Sequence, residues 1–246
     1  MSIPGPPSFT NHYTGNTTTT TTMASSLSFI LALLLAIAAT DAFTVHLLNK
    51  CPYTVWPGTY PVRSGSRLDP GQLAAIEVSP GMVSGWIWGR TGCNFDASGR
   101  GSCTTGDCGG MLSCAAGFKP PATLAEYTLG KGGSPDFYDI SIADGFNVPM
   151  SFGPVGSSCH VVSCAADINA KCPSELKVDG GCVSACIKFG TTQYCCMPPL
   201  TPSTCGPTDY SRFFKGHCPD AYSYAYEKSS TFTCHVRSDY QVTFCP

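Results

Sequence analysis

The stretch Gly99–Cys114, which reads GRGSCTTGDCGGMLSC, decides how the middle of this chain folds. It holds three cysteines, at positions 103, 108 and 114, and five glycines. Glycine adopts positive φ angles and lets backbone segments approach closely, so this density favours tight turns. Disulfides could then close the resulting loops. The pattern excludes a long helix or a regular strand and predicts a cross-linked loop.

The rest of the chain is also rich in cysteine, with 16 cysteines among 246 residues. An even number at this density is typical of a disulfide framework that forms in an oxidising compartment. Structural zinc is the alternative. However, Cys195 and Cys196 are adjacent, no C-x-x-C pair is repeated, and only five histidines could serve as further ligands. We therefore expect disulfides, and neither a metal nor a cofactor.

The first 42 residues differ in composition from the remainder. Residues 1–22 are polar and end in a threonine run, which predicts a disordered extension. Residues 23–42 contain an apolar segment, Leu27 to Ala39, that is short for a membrane span and is followed by small residues. We interpret residues 23–42 as a secretory signal and expect a mature chain from Phe43 without a transmembrane segment. The sequence leaves open whether the true start is Met1 or Met23.

Charge is sparse: 12% of residues are charged and the formal net charge is −2. Without a basic run or an arginine–aromatic alternation, nucleic acid binding has no electrostatic support. A weakly charged, cross-linked surface suits a neutral polymer such as a polysaccharide, and we expect a monomer. The chain ends at Pro246, directly after Cys245. We take this ending to favour the extracellular space (apoplast) over the vacuole.

From residue 43 onward, short segments rich in β-branched and aromatic residues are separated by Gly and Pro. This spacing predicts an all-β sandwich and not βαβ units. YTVWPG (53–58) is expected to end in a Pro-Gly turn, and strands at both ends of the mature chain could bring Cys51 and Cys245 together. The other strand candidates are FTVHLLNK (43–50), GQLAAIEVSPG (71–81), MVSGWIWGRTGC (82–93), ATLAEYTL (122–129), DFYDISIADG (136–145), VPMSFGPV (148–155), SSTFTCHV (229–236) and YQVTFCP (240–246).

The segment Cys159–Cys218 holds nine of the cysteines and few strand-like runs. It is predicted to be a loop-rich region held by disulfides. Within CVSACIKFG, Cys182 and Cys186 are four residues apart, which would place both on one face of a short helix ending near Gly190. A second helical turn is expected at YSRFFK (210–215).

The opening stretch matches the thaumatin-like family signature G-x-G-x-C-x-T-G-D-C-x-G-x-x-x-C at every specified position. The resemblance extends from residue 49 to the C-terminus through the words NKCPYTVW, GRTGCNFD, LAEYTL, FYDIS, DGFNVPM, YCC, CPDAYSYAY and STFTC. The chain therefore resembles the thaumatin-like family of pathogenesis-related, osmotin- and thaumatin-type proteins.

This resemblance implies an all-β, thaumatin-like domain over residues 43–246. Its β-sandwich core would comprise about residues 43–90, 123–158 and 219–246. A small disulfide loop subdomain would lie at about 91–122, and a larger disulfide-rich subdomain with a short helix at about 159–218. The implied disulfides are Cys51–Cys245, Cys93–Cys103, Cys108–Cys114, Cys159–Cys234, Cys164–Cys218, Cys172–Cys182, Cys186–Cys195 and Cys196–Cys205.

Because charged residues are scarce, the acids in apolar surroundings stand out as candidate site residues. Taken alone, Asp144 before a glycine is typical of a turn, and Arg90 could be the structural partner of a buried carboxylate. The resemblance implies an acidic cleft of one Arg, one Glu and three Asp, and matching words place Arg90, Glu126, Asp139 and Asp144 in it. Glu227 is the best substitute for the fifth member, although Lys228 beside it would reduce the negative potential.

Several other residues of the sequence could take part in a site or shape it. Asp107 is expected to shape its own loop through local hydrogen bonds. His160 beside Cys159 would suggest a Cys–His nucleophile only if that cysteine were not in a disulfide. Aromatic side chains adjoining the acids could stack on sugar rings, although alternation requires some of them to lie in the core. These aromatics are Tyr127, Phe137, Tyr138 and Phe146.

Clustered carboxylates can bind sugar hydroxyls, or can act as the acid and the nucleophile or base of a glycosidase. The resemblance implies binding of β-1,3-glucan, with weak hydrolysis in some family members. We therefore expect a secreted plant defence (antifungal) protein that binds β-1,3-glucan or another fungal surface target. A weak endo-β-1,3-glucanase, with Glu126 as acid and Asp139 or Asp144 as its partner, is the enzyme alternative. A non-catalytic enzyme inhibitor or taste-active protein is the third, and the slightly acidic composition disfavours the taste-active protein.

Overall fold

The computed structural model describes residues 43–79, 84–130, 133–198, 205–235 and 238–246. They belong to one compact unit, Ala42–Pro246. The predicted extension (1–22) and secretory signal (23–42) lie outside the described residues.

One five-stranded sheet contains both ends of the predicted mature chain. Its inner strands β1 (Phe43–Asn49) and β15 (Tyr240–Phe244) run parallel, with Val45 opposite Tyr240. Parallel pairing of the first and last strands brings Cys51 and Cys245 into a disulfide, as the strand pattern suggested. In spatial order the sheet consists of β11 (Val162–Cys164), β10 (Met150–Pro154), β15 (Tyr240–Phe244), β1 (Phe43–Asn49) and β3 (Leu73–Val78).

A second five-stranded sheet packs against the first. Alternation along its strands buries one face, so that Tyr127 and Tyr138 point into the core and their neighbours Glu126 and Asp139 point to the other face. The ring of Tyr138 contacts Tyr240 of the first sheet at a centroid distance of 5.6 Å. The predicted all-β sandwich is confirmed. The strands are, in order, β14 (Phe232–Cys234), β8 (Asp136–Ser141), β7 (Leu124–Thr128), β4 (Ser84–Arg90) and β2 (Trp56–Tyr60).

Two small sheets lie outside this sandwich. Strands β5 (Asn94–Phe95) and β6 (Gly101–Ser102) form a hairpin that leads into the signature stretch. Strands β12 (Lys177–Val178) and β13 (Gly181–Val183) pair with β9 (Gly145–Phe146), with Val183 opposite Gly145. This last pairing attaches the cysteine-rich segment to the chain directly after β8.

The helices of the described residues are short. They are α1 (Ile168–Lys171), α2 (Ala185–Phe189), α3 (Thr192–Cys195) and α4 (Asp209–His217). The last is longer than the predicted turn, because Thr208 and Ser211 form a capping box at its start. In this part of the chain, none of the helices is long and apolar enough to cross a membrane.

All 16 cysteines pair in eight disulfides, and the pairs are those that the family resemblance implies. Within the signature stretch, the carboxylate of Asp107 accepts hydrogen bonds from the backbone N–H groups of Cys103 (2.9 Å) and Gly110 (2.8 Å). Asp107 therefore shapes its loop through local hydrogen bonds, as predicted.

The expected Pro-Gly turn at the end of YTVWPG is wrong, because Pro57 and Gly58 both lie inside β2. Strand β2 is at the edge of its sheet, where a missing backbone N–H is tolerated. Gly58 has no side chain because the indole of Trp88 occupies the place where a β-carbon would lie.

The expectation that Cys182 and Cys186 share a helix face is also wrong. Cys182 lies in β13, and helix α2 begins only at Ala185, where the Ser184 hydroxyl accepts a hydrogen bond from the backbone N–H of Ile187. The predicted end of the helix is confirmed: Gly190 forms a left-handed C-cap with φ of 63°.

Candidate functional site

Glu126 and Asp139 form the centre of the candidate site. They are directly opposite each other on the antiparallel strands β7 and β8. Because their neighbours point into the core, both carboxyl groups point to the outer face of the second sheet. The two groups are close enough that each shifts the pKa of the other, through charge and through hydrogen bonding. Two carboxyl groups can hydrogen-bond to each other only if one of them carries a proton.

The environment determines where this proton resides. Burial raises the pKa of Asp139 to about 8, and the nearby charge of Glu126 and the hydrogen bond to it act in the same direction. Burial also raises the pKa of Glu126, while the hydrogen bond from Asp139 opposes the increase and the charge of Asp144 adds to it. With its pKa at about 8, the Asp139 carboxyl group keeps its proton at neutral pH. One of its oxygens, Oδ1, is buried and lacks a hydrogen-bond partner among the described residues.

Asp144 completes the acidic cluster from the direction of the cysteine-rich segment. Asp144 precedes Gly145, which has a φ of 121° that residues with a side chain rarely adopt. The backbone carbonyl of Asp144 accepts a hydrogen bond from the backbone N–H of Ser184 (3.4 Å). Burial raises the pKa of its carboxyl group. Asp144 also lines a cavity of about 60 Å³ together with Tyr194 and Phe214. The three predicted acids thus lie where the outer face of the second sheet meets the cysteine-rich segment.

The Arg90 side chain, on the same sheet face as Glu126, is held by backbone carbonyls. The side chain is fully buried, and its guanidinium donates to the backbone carbonyls of Trp56 (3.0 Å), Met111 (2.8 Å) and Leu112 (2.7 Å). Burial lowers the pKa of Arg90 to about 10, an effect that the charge of Asp107 opposes. Arg90 thus ties the signature stretch to β2, which is a structural role. Position in a motif could not distinguish this role from the predicted place in the acidic cleft.

The Glu227 carboxylate is likewise held inside the fold. Oε2 accepts hydrogen bonds from the backbone N–H and the hydroxyl of Ser223 (both 2.9 Å). Oε1 accepts from the Ser230 hydroxyl (3.0 Å) and forms an ion pair with Lys215 of α4. Burial acts to raise the pKa of Glu227, but the bonds from these groups outweigh it and hold the pKa below its usual value. Glu227, the expected fifth member of the cleft, therefore makes these hydrogen bonds and this ion pair with its own loop and with α4.

Three of the four predicted aromatic candidates belong to the core and are inaccessible to a ligand. Tyr127, Tyr138 and Phe146 are buried, whereas Phe137 is 43% exposed on the same sheet face as the acids. The Cys–His alternative is excluded as well, because Cys159 is in a disulfide and has no thiolate. Within the described residues, no group of His, Cys, Asp or Glu is arranged to hold a metal ion.

Sequence reasoning missed a pair of exposed aromatic residues beside the acids. Trp86 is directly opposite Glu126 on β4, and Tyr60 is opposite Trp86 on β2. Their rings stack with centroids 5.4 Å apart and planes 17° from parallel. Alternation in the segment WIW indicates that Trp86 and Trp88 share a face, but the sequence does not reveal which of them the signature loop covers.

Comparisons with known proteins identify the family. A sequence model of the Thaumatin family matches residues 49–246. An osmotin-like protein of Solanum commersonii is 52% identical over 223 residues, covering 89% of this chain and 87% of that protein. The pathogenesis-related thaumatin-like protein 3.2 of Cryptomeria japonica is 53% identical over 208 residues, covering 83% of this chain and 88% of that protein.

Among solved structures, the thaumatin-like xylanase inhibitor TLXI aligns with a TM-score of 0.49 and 24% identity, covering 82% of this chain and 99% of that chain. The family assignment rests on the sequence matches, which span most of the chain at more than half identity. This chain therefore belongs to the thaumatin family, with osmotin-like and pathogenesis-related proteins among its relatives.

Proposed function

We propose that this is a secreted plant defence protein that binds β-1,3-glucan of fungal cell walls through Glu126, Asp139 and Asp144. The observation that carries the proposal is the pair of carboxyl groups directly opposite each other on the outer sheet face, where burial raises the pKa of both. A pair that retains one proton offers both a donor and acceptors. Sugar hydroxyls need the same combination, because each hydroxyl both donates and accepts. The names of the pathogenesis-related relatives support a role in defence.

The disulfides support secretion. Eight disulfides in a chain of this length are characteristic of proteins that fold in an oxidising compartment and remain outside the cell. The apolar segment of residues 23–42 fits the same proposal, since it has the length and the flanking small residues of a secretory signal.

The spacing of the carboxyl pair favours binding over hydrolysis. Glu126 and Asp139 are direct cross-strand partners, and each shifts the pKa of the other. Retaining glycosidases hold their two carboxyl groups about 5–5.5 Å apart, and inverting ones about 6.5–9.5 Å apart, so that the scissile bond lies between them. Two adjacent carboxyl groups that interact directly on one sheet face do not suit that arrangement.

A weak endo-β-1,3-glucanase is the second candidate function, and it would use a different pair. Burial and the charge of Asp144 raise the pKa of Glu126, as a general acid requires. Glu126 would then protonate the leaving oxygen, and Asp144 would serve as the second carboxylate. Asp139 would keep only an orienting role.

One experiment tests the proposal and separates the two candidates. Purified protein is incubated with insoluble β-1,3-glucan, and both co-sedimentation and the release of reducing ends are measured. The variants are Glu126→Gln, Asp139→Leu and, as a matched control, Glu77→Gln on the exposed side of β3 in the other sheet. We expect the unaltered protein and Glu77→Gln to sediment with glucan without releasing sugar, and the two site variants to lose binding.

Two results would change this conclusion. If Glu126→Gln and Asp139→Leu bind as well as the unaltered protein, the acidic site is not the binding site. If reducing ends appear and Glu126→Gln abolishes them, the glucanase function replaces simple binding.

A further inference from the structure

We propose that Trp86, backed by Tyr60, is the stacking platform on which this site binds a neutral pyranose chain. The inference rests on the proposed function, because it specifies how the same acidic site would recognise a polysaccharide. It assigns the apolar part of recognition to an aromatic pair and the polar part to the carboxyl groups.

The first argument is the register of the second sheet. Tyr60, Trp86, Glu126 and Asp139 are successive cross-strand partners on β2, β4, β7 and β8. Cross-strand partners point to the same face of a sheet. These side chains therefore form one straight row across three strand spacings, a length of about 14 Å. The row is aromatic at one end and acidic at the other.

The second argument is the orientation of the two rings. Tyr60 and Trp86 are stacked, and β4 lies between β2 and β7 in the sheet. Tyr60 therefore covers the face of the indole on the β2 side and leaves the other face turned towards Glu126. A sugar ring placed above the carboxyl pair would meet this free indole face. Stacking on Tyr60 holds the indole in place before a ligand arrives, which lowers the entropy lost on binding.

The third argument is a contrast with Trp88, two residues further along the same strand and on the same face. Trp88 is fully buried, its Nε1 donates to the carbonyl of Gly106 (2.8 Å), and Phe118 packs on it at a centroid distance of 5.6 Å. The signature stretch thus covers one tryptophan of the face, while Trp86 remains 39% exposed. Trp86 is among the side chains of this face that a ligand can reach.

The surroundings determine the kind of ligand. Phe137, on β8, is exposed on the same face and diagonal to Glu126, so a further exposed aromatic side chain lies beside the acidic pair. A pyranose ring has apolar C–H faces and a rim of hydroxyls, which match aromatic surface and carboxyl groups respectively. The aromatic side chains carry no positive charge that would attract an anion, and the guanidinium of Arg90 is buried against backbone carbonyls. A neutral chain therefore fits better than an anionic one.

The test compares Trp86→Ala and Trp86→Phe with the unaltered protein in titrations with a soluble β-1,3-glucan oligosaccharide, followed by calorimetry. Leu73→Ala, which truncates an exposed apolar side chain on β3 of the other sheet, is the control. We expect Trp86→Ala to weaken binding about tenfold, Trp86→Phe to bind with intermediate affinity because it keeps an aromatic ring, and the control to be unchanged.

A second readout follows the residue itself. The chain has three tryptophans, and all three lie on this sheet face: Trp88 is fully buried, and Trp56, opposite Arg90, is half-buried. Bound oligosaccharide should protect Trp86 from quenching by acrylamide, and Trp86→Phe should lose this ligand-dependent protection. Circular dichroism and thermal unfolding confirm that each variant is folded.

The outcomes are distinguishable. If the unaltered protein binds the oligosaccharide and Trp86→Ala binds it equally well, the stacking platform is overturned while the proposed function stands. If the unaltered protein does not bind at all, the proposed function fails and this inference fails with it.

Discussion

Glu126 and Asp139 lie opposite each other on neighbouring antiparallel strands, and burial raises the pKa of both carboxyl groups. Two like-charged groups at this distance would repel each other if both were ionised. The pair therefore lowers the free energy of unfolding, since burial already disfavours the ionised form of each group. Retaining such an arrangement on an accessible sheet face is typical of a site with a function other than stability.

Asp139→Asn should stabilise the protein at neutral pH. Between the ordinary aspartate value of 3.8 and a pKa of about 8, the folded protein keeps a proton on Asp139 that the unfolded chain has released. The unfolded state then binds fewer protons, so the free energy of unfolding falls as the pH rises through this window. Asparagine mimics the protonated acid and removes this loss, which amounts to roughly 2–4 kcal/mol at pH 7.

Denaturant unfolding at pH 4 and pH 7 checks this prediction. The variant and the unaltered protein should differ little at pH 4 and clearly at pH 7. The fully exposed Asp209→Asn serves as the control. Equal pH dependence in the unaltered protein and in Asp139→Asn would contradict the assignment of the proton to Asp139.

Glucan binding should weaken as the pH rises through about 8. When Asp139 ionises, the pair loses its hydrogen-bond donor and becomes doubly negative, so it no longer matches a hydroxyl. Asp139→Asn cannot ionise and should bind equally at pH 7 and pH 9. Calorimetric titrations of both proteins at these two pH values measure the difference, and a parallel decline in both proteins would rule out Asp139 as the group responsible.

Arg90→Lys should destabilise the fold without a specific effect on glucan affinity. Lysine cannot reproduce the fork with which Arg90 bonds several backbone carbonyls of β2 and the signature stretch, and the carbonyls left unpaired each cost about 1–3 kcal/mol. Thermal unfolding of Arg90→Lys and Arg67→Lys, an exposed control, gives the comparison. A glucan-binding defect at full stability would return Arg90 to the acidic site.

Glu227→Gln should lower stability by about 1–3 kcal/mol near neutral pH, because it removes the charge that pairs with partly buried Lys215. The folded-state pKa of Glu227 lies below its usual value, so its contribution is present above the unfolded value of 4.5 and is lost as the pH falls through the folded pKa. The difference from the unaltered protein should therefore shrink in acid. Lys215→Met is the reciprocal variant, and an additive double mutant would show that the ion pair contributes nothing.

Gly58→Ala should destabilise the protein by about 1–3 kcal/mol, since the added methyl group overlaps the buried indole of Trp88. Displacement of the ring should also shift its fluorescence to longer wavelength. Gly117→Ala, where a β-carbon would meet open space, is the matched control. Unchanged stability in Gly58→Ala would show that β2 moves freely away from β4.

The sequence predicts much of the framework, for physical reasons that can be traced to particular residues. Alternation along ATLAEYTL and DFYDIS places Glu126 and Asp139 on the face opposite Tyr127 and Tyr138, because successive side chains of a strand point to opposite sides. The family words determine which cysteines pair. The end of α2 follows from Gly190, which accepts a left-handed conformation.

The partners of long side chains could not be predicted in the same way. Arg90 and Glu227 stand at positions compatible with a cleft, yet their charged groups reach backbone carbonyls and Lys215 instead. The exposure of Trp86 is not evident from the sequence, because it depends on how far the signature stretch extends over the sheet. Such contacts depend on distances between elements that are remote in sequence, which local patterns do not encode.

The Cys51–Cys245 disulfide joins residues 194 positions apart. It converts nearly the whole folded unit into one covalent ring, with seven smaller rings inside or across it. A protease that cuts a surface loop once between these residues nicks the ring and releases no fragment. The cut protein would keep strands β1 and β15 covalently joined, so a first cleavage would leave the two ends of the folded unit attached to each other.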